Sequence, residues 1–318
     1  MKKMKWFIAL ICSLVLAACS GEQSSSYVIG AAREGSSYNL IAEAIAEIGS
    51  SVSDRIPFTV SPSSGSEENI RNVVNGKIPF AIVQADILGE ALSGEGIFNG
   101  ESGFDSLRAI AGLYPESVQI VTRRDYDIHD VPGLWGSVVS VGDVHSGTEL
   151  NAFDILKAAN LNESLVETVN YKTAEACEAL RKGDIHAFFY TTSAPAVMIE
   201  ELAKDTDIEL ISMSNDIQKT VASGRPYYEP YEIPAGTYRN QSEPVRTISM
   251  KSVLITSQST DAAFVEALVE QLFAHREEME ASLEMEFTFS EAEATSGIPV
   301  SFHEGAKAYY AKKGIQVD

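Results

Sequence analysis

After residue 26 the chain repeats one pattern: an apolar run, a short polar turn, then an amphipathic run. "YVIGAA" (27–32) reads as a strand. "YNLIAEAIAEIGS" (38–50) sets Leu40, Ile41, Ala44, Ile45 and Ile48 on one helical face. "IPFTVSP" (56–62) is a second strand, and "EENIRNVVNG" (67–76) a helix that stops at Gly76. "IPFAIVQAD" (78–86) has too few polar residues to face water on either side. Buried strands alternating with helices predict an α/β protein with a parallel sheet covered on both faces.

The pattern then restarts. "SVQIVTR" (117–123) and a segment within "GLWGSVVSVG" (133–142) read as strands, and "TELNAFDILKAANL" (148–161) as a helix. "TAEACEALRKG" (173–183) is a helix closed by Gly183, and "IHAFFYT" (185–191) an apolar strand. The Pro-, Gly- and Tyr-rich stretch Ala222 to Thr247 reads as irregular structure, "MKSVLITS" (250–257) as a strand, and two helices follow. A chain of 318 residues exceeds a typical single domain, so two lobes are expected. Lobe 1 would comprise residues 27–116 plus 253–318 and lobe 2 residues 117–252, joined by two crossings.

Three junctions between strand and helix are rich in hydroxyls and glycine: "EGSSY" (34–38), "SSGSEEN" (63–69) and "VHSGTEL" (144–150). Helix starts carry unpaired N–H groups and partial positive charge. Serine and threonine there are ordinary caps, and glycine lets a ligand approach the backbone. In open α/β sheets ligands lie beyond the carboxyl ends of strands, where helix starts converge. Three such junctions on two facing lobes would line a cleft suited to a carboxylate or phosphate. Gln84, Tyr114 and Tyr190-Thr191 end strands or precede the crossing at the same edge. Arg33 beside the first junction can clamp a carboxylate in two-pronged fashion, or pair with a surface acid.

The start of the chain is a different signal. "MKKMKWFIALICSLVLAACS" has Lys2, Lys3 and Lys5 ahead of an apolar run from Trp6 to Ala18. About 13 apolar residues are fewer than the ~20 that span a bilayer, which makes residues 1–19 a secretory signal. Leu16-Ala17-Ala18-Cys19 resembles the bacterial lipobox, which implies a lipid on Cys19. Residues 20–26 then form a flexible tether. With Cys12 removed and Cys19 acylated, Cys177 is left with no partner for a disulfide. In "AEACEAL" it reads as a small buried helix residue. The net charge of -21, about -24 after cleavage, would repel nucleic acid and anionic lipid.

The ordered stretches "YVIGAAREGSSYNL", "SSGSEENIRNVVNGKIPFAIVQAD", "GLYPESVQIVTR", "SVVSVGDVHSGTELNAFDILKAANL", "ALRKGDIHAFFYTTSAP", "EIPAGTYRNQSEPVRTISMKSVLITS" and "HEGAKAYYAKKG" cover nearly the whole mature chain. Together they resemble the TAXI family of solute receptors, which serve tripartite ATP-independent periplasmic (TRAP) transporters. The resemblance implies a two-lobed type II periplasmic-binding-protein fold with a hinge and an interlobe ligand cleft. It implies a small organic acid as ligand, a glutamate-like amino acid or a dicarboxylate. It further implies ligand contacts from Ser37, Tyr38, Ser64, Ser66, Gln84, Tyr114, Ser146, Gly147 and Thr148. Arg33, Tyr190 and Thr191 join that set from the reading of the strand ends. The first loop holds Ala32-Arg33-Glu34 where the family usually has Gly, Thr and Ser, and "FFYTTSAP" replaces a glycine-rich continuation. The expected protein is a monomer in the periplasm or at the cell surface, held by its lipid, and its partners are TRAP permease subunits.

No cofactor, metal or catalytic role is expected. There is no G-x-S-x-G elbow, P-loop, H-E-x-x-H or C-x-x-C, and the five histidines have no ligand spacing. His145, ahead of Ser146-Gly147, is a loop residue or a ligand hydrogen-bond donor. A receptor that reports to a membrane sensor kinase is the alternative reading, and a receptor for an ABC importer a third.

Overall fold

The computed structural model describes residues 26–52, 57–282 and 288–318. The signal segment, Cys19 and nearly all of the tether lie outside the described residues. The apolar runs form strands and the amphipathic runs cover them. The order is β1 (Tyr27–Gly30), α1 (Ser37–Val52), β2 (Phe58–Ser61), α2 (Ser66–Val74), β3 (Phe80–Gln84), α3 (Ala85–Ser93) and β4 (Leu107–Arg123). Then come β5 (Val138–Ser140), α4 (Gly147–Ala158), β6 (Glu167–Val169), α5 (Thr173–Lys182), β7 (Ala187–Thr192), α6 (Val197–Ala203), β8 (Ile208–Leu210) and α7 (Asn215–Ala222). The chain finishes with β9 (Glu229–Ile233), β10 (Val245–Ser257), α8 (Ala262–Ala274), α9 (Arg276–Ser282), α10 (Glu291–Ala294) and α11 (Glu304–Lys312).

The strands join in the order β2-β1-β3-β10-β4-β7-β5-β6, with β8 added to β4 and β9 to β10. Within each half the βα units pair in parallel: β1 with β2 and β3, and β5 with β6 and β7. The centre is antiparallel, because β10 pairs with β3 and β4, and β4 pairs with β7. The sheet is therefore mixed and not parallel throughout as the sequence predicts. The departure lies in the two long strands that cross the molecule in opposite directions. One end of β10 serves β3 (Ser252–Thr256) and the other serves β9 (Val245–Ser249). The far end of β4 likewise carries β7 and β8.

Four further readings of the sequence need correction. The strand beginning at Ser117 starts ten residues earlier, at Leu107, and Pro115 sits inside it opposite Lys251, beside a register shift. Proline is tolerated at such an irregularity because the ladder there is already interrupted. Ala85-Asp86 belong to α3, which follows β3 without a loop. Residues 222–247 contain β9 and the start of β10, and among the described residues four helices follow β10 instead of two.

Apolar burial divides over the sheet faces. Ile29, Ile41, Ile45, Phe80, Ile82 and Leu254 lie in one contiguous core that α1, α3 and α8 close. Val121, Leu180, Phe188, Ile199 and Leu202 form a second core beneath α5 and α6. Cys177 is buried there, and burial pushes its thiol up to about 11, far from a reactive thiolate.

Candidate ligand cleft

Helices α1, α2, α4 and α5 all begin at one place. An outer cavity of about 410 Å³ is lined by Arg33, Ser64 to Glu67, Gly142 to Thr148, Tyr171 to Thr173, Phe189 and Tyr190. An inner cavity of about 340 Å³ is lined by Ala32 to Tyr38, Ser64, Glu116, Thr173, Ala174, Tyr190 to Thr192 and Met198. Arg33, Ser64, Thr173 and Tyr190 border both, so the two are parts of one cleft. All three hydroxyl-rich junctions of the sequence meet here.

Local chemistry explains each helix start. Ser36 Oγ accepts from the Asn39 N–H, and Ser146 Oγ caps α4 by accepting from the Glu149 N–H at 3.2 Å. Gly65 precedes α2 at φ 127°, a backbone that side chains rarely adopt, and leaves its turn open to the cavity. At α5 the Glu175 carboxylate accepts from the Lys172 N–H. Ser66 Oγ accepts from the Gln84 N–H at 2.9 Å, and Thr148 Oγ1 accepts from the Thr191 N–H at 3.1 Å. These two hydroxyls tie a helix start to a strand end in each half.

Ten of the twelve sequence-chosen residues border the cavities. Ser66, Ser146, Gly147 and Thr148 face the outer one, Ser37, Tyr38 and Thr191 the inner one, and Arg33, Ser64 and Tyr190 both. The Ser64 hydroxyl donates to Glu68 and is occupied by it. Arg33 pairs with Asp143 at 3.3 Å, an exposed pair spanning the first and third junctions. His145 is exposed with φ 63°, and its ring lies 4.0 Å from Glu67. Tyr114 stands behind Tyr38, fully buried, with ring centroids 6.5 Å apart. Gln84 is buried against the start of α4: a Cβ on Gly147 would lie 2.4 Å from Gln84 Oε1.

Behind that contact is a buried polar network. Gln84 Nε2 donates to Asp86 and to Asn151 Oδ1, both at 3.1 Å. Asn151 Nδ2 donates to Asp86 and to the Tyr228 oxygen, and Asn151 Oδ1 also accepts from Thr191 at 2.8 Å. Tyr228 OH reaches Asp86 and Asp154, and Arg225 pairs with Asp154. With Arg33–Asp143 and a 3.4 Å contact between the hydroxyls of Ser37 and Ser193, these bonds bring residues 27–116 against residues 117–252 around the cleft.

Sequence reasoning missed Glu116, Asp86, Asn151, Lys172 and Thr173. The last two lie in "YKTAEAC", a polar step into a helix like the other three, and were legible by the same rule. Glu116 was not, because a lone acid on a strand gives no periodic signal. Burial pushes Glu116 up to about 8 and Asp86 up to about 6. Each lies above its unfolded value, so ionising either costs folding energy. That cost is absent at low pH and complete above the folded pKa. The ligand-free protein is expected to melt at a higher temperature at pH 6 than at pH 8, and Glu116→Gln to flatten that dependence. A wild-type minus variant difference that grows in the opposite direction contradicts this assignment.

The fold built on two crossing strands and a cleft of helix starts is that of two-lobed periplasmic binding proteins. MatC from Rhodopseudomonas palustris, solved with bound malate, matches with TM-score 0.54 at 12% identity over 81% of this chain and 87% of its own. A TctC solute-binding protein from Polaromonas matches with TM-score 0.52 at 15% identity, over 85% and 91%. The periplasmic aliphatic sulphonate binding protein SsuA from Escherichia coli gives 0.51 at 12%, over 81% and 73%. The chain itself belongs to the NMT1-like family, whose model matches residues 29–314.

Proposed function

We propose that this protein is an extracytoplasmic solute receptor that captures a small organic acid and delivers it unchanged to the membrane permease of a TRAP transporter. The observation that carries the reading is the meeting of four helix starts, from both halves of the sheet, on one cleft. Their free N–H groups and dipoles favour an anion, and hydroxyls of Ser66, Ser146 and Thr148 fix the geometry of those starts. The malate- and sulphonate-binding proteins similar in fold support an acidic solute.

Residues 27–116 with 253–318 would move as one lobe and residues 117–252 as the other, bending where β4 and β10 cross. The ligand favours the closed form because only there do both lobes touch it. A lipid on Cys19 would keep this monomeric receptor close to its permease, and the chemistry needs neither nucleotide nor metal.

A thermal-shift screen of organic acids tests the reading, with melting temperature expected to rise with the concentration of the correct acid. Ser66→Ala and Thr148→Ala each leave a backbone N–H without its acceptor. Each should weaken binding by about 1–3 kcal/mol, measured by titration calorimetry. Wild-type affinity in both variants, or no acid that shifts melting, overturns it.

A further inference from the structure

Glu116 has no role in the reading above. Its side chain comes from β4 where that strand passes between the halves, and it is only 4% exposed. What remains accessible opens into the inner cavity, beside Tyr38, Tyr190 and Thr191. Oε2 accepts from Tyr38 OH at 2.9 Å. Among the described residues no hydrogen bond reaches Oε1, and no Lys, Arg or His pairs with this carboxylate. The ionisable groups around it are Tyr38 from α1, Tyr190 from β7, Tyr114 from its own strand and Asp86 from the start of α3. None of these is a cation, and Arg33, which lines the same inner cavity, is paired with Asp143. On neighbouring β10, Met250 stands opposite Glu116, so Lys251 points to the other face, where it bonds Glu293.

A buried carboxylate with one donor and no counter-ion is costly. Holding Tyr38 needs only a neutral acceptor, which glutamine supplies without that cost. An acid in place of an amide at this position is thus accounted for if a cation that enters the cleft ionises it. The rest of the cleft has the opposite character: Lys172 and the starts of α2 and α4 border the outer cavity, and Arg33 borders both cavities. A ligand that satisfies both ends carries a carboxylate and a cation.

We infer that Glu116 accepts the ammonium group of the ligand, so that the solute is an amino acid held by its carboxylate at the helix starts. This rests on the receptor reading and narrows it, because a plain dicarboxylate brings no cation to Glu116. In the empty closed cleft nothing offsets the burial, in keeping with a carboxyl pushed up to about 8. Ligand ammonium supplies that offset and draws the proton off, so the carboxylate is ionised in the complex.

The test uses the mature protein and matched pairs of probes: the L-amino acids, and the acids of the same carbon skeletons with the amine replaced by hydrogen or hydroxyl. Thermal shift finds the best binder of either kind, and calorimetry gives both affinities of its pair. An amino acid should bind at least about 100-fold tighter than its amine-free partner, a difference of about 2.7 kcal/mol. Glu116→Gln should remove most of that preference, whereas Glu116→Asp, which leaves a carboxylate in place, should keep part of it. A far-ultraviolet melt confirms that each variant is folded. Should amine-free acids bind as well as amino acids, or Glu116→Gln keep the full preference, the assignment of Glu116 falls while the receptor reading stands. If neither class binds the wild-type protein, the receptor reading itself falls.

Discussion

Asn151→Ala is expected to destabilise the protein by about 3–4 kcal/mol, the sum of several buried groups that lose a partner at about 1–3 kcal/mol each. Asn151 is fully buried on α4 and serves four neighbours at once. It donates to Asp86 and Tyr228 and accepts from Gln84 and Thr191. Alanine removes both donors and the acceptor, and a water entering the polar void between Asp86, Tyr228, Gln84 and Thr191 would restore only part of these bonds. The effect also has a pH signature. Asn151 is the strongest of the hydrogen-bond partners that draw Asp86 down from the height burial would give it. Without it the folded-state pKa of Asp86 climbs further above its unfolded value. The deficit should therefore be larger at pH 8, where Asp86 must ionise, than at pH 5, where it is mostly protonated. Denaturant titrations at the two pH values measure both quantities. A pH-independent loss would mean that the missing packing, and not the carboxylate, sets the cost.

Gly147→Ala is expected to cost both stability and binding. Gly147 is the first residue of α4, where alanine favours the helix by up to about 1 kcal/mol over glycine. Its new Cβ would meet the Gln84 amide at 2.4 Å. Glutamine ends are usually mobile, but this one is held by Asp86 and Asn151 and cannot retreat without breaking those bonds. The overlap opposes the same meeting of the halves that the Asn151 bonds hold, so it bears on folding stability and on the proposed closure alike. At about 1–3 kcal/mol for an overpacked contact, affinity should fall roughly 5- to 150-fold. The ligand-free melting temperature should fall too, by less than the overlap alone costs, because alanine favours the helix. Unchanged affinity would show that Gln84 gives way and that closure does not bring these residues together.

Periodicity carried much of the architecture. Ile41, Ile45 and Ile48 mark α1, and the apolar run ending at Gln84 marks β3, because such elements bury a face that the sequence must supply. The cleft's serine- and glycine-bearing turns were legible for a similar reason, since helix starts need caps whatever else they do. Three things were hidden. The full length of β4 was masked by Pro115, which breaks a ladder on average but not beside a register shift. The antiparallel centre was hidden because strand direction depends on partners more than a hundred residues away: Ser249 pairs with Ser117. The buried acids Asp86 and Glu116 were hidden because an acid looks alike on the surface and in a core. Their meaning lies in burial and in their partners, which only the fold defines.

The most direct measurement is a crystal structure of the mature protein with the solute that most raises its melting temperature. The account predicts one small, chemically unchanged molecule in the cleft between the two halves, its carboxylate against the starts of α2 and α4. A solute seated elsewhere, or found converted to a product, would contradict it.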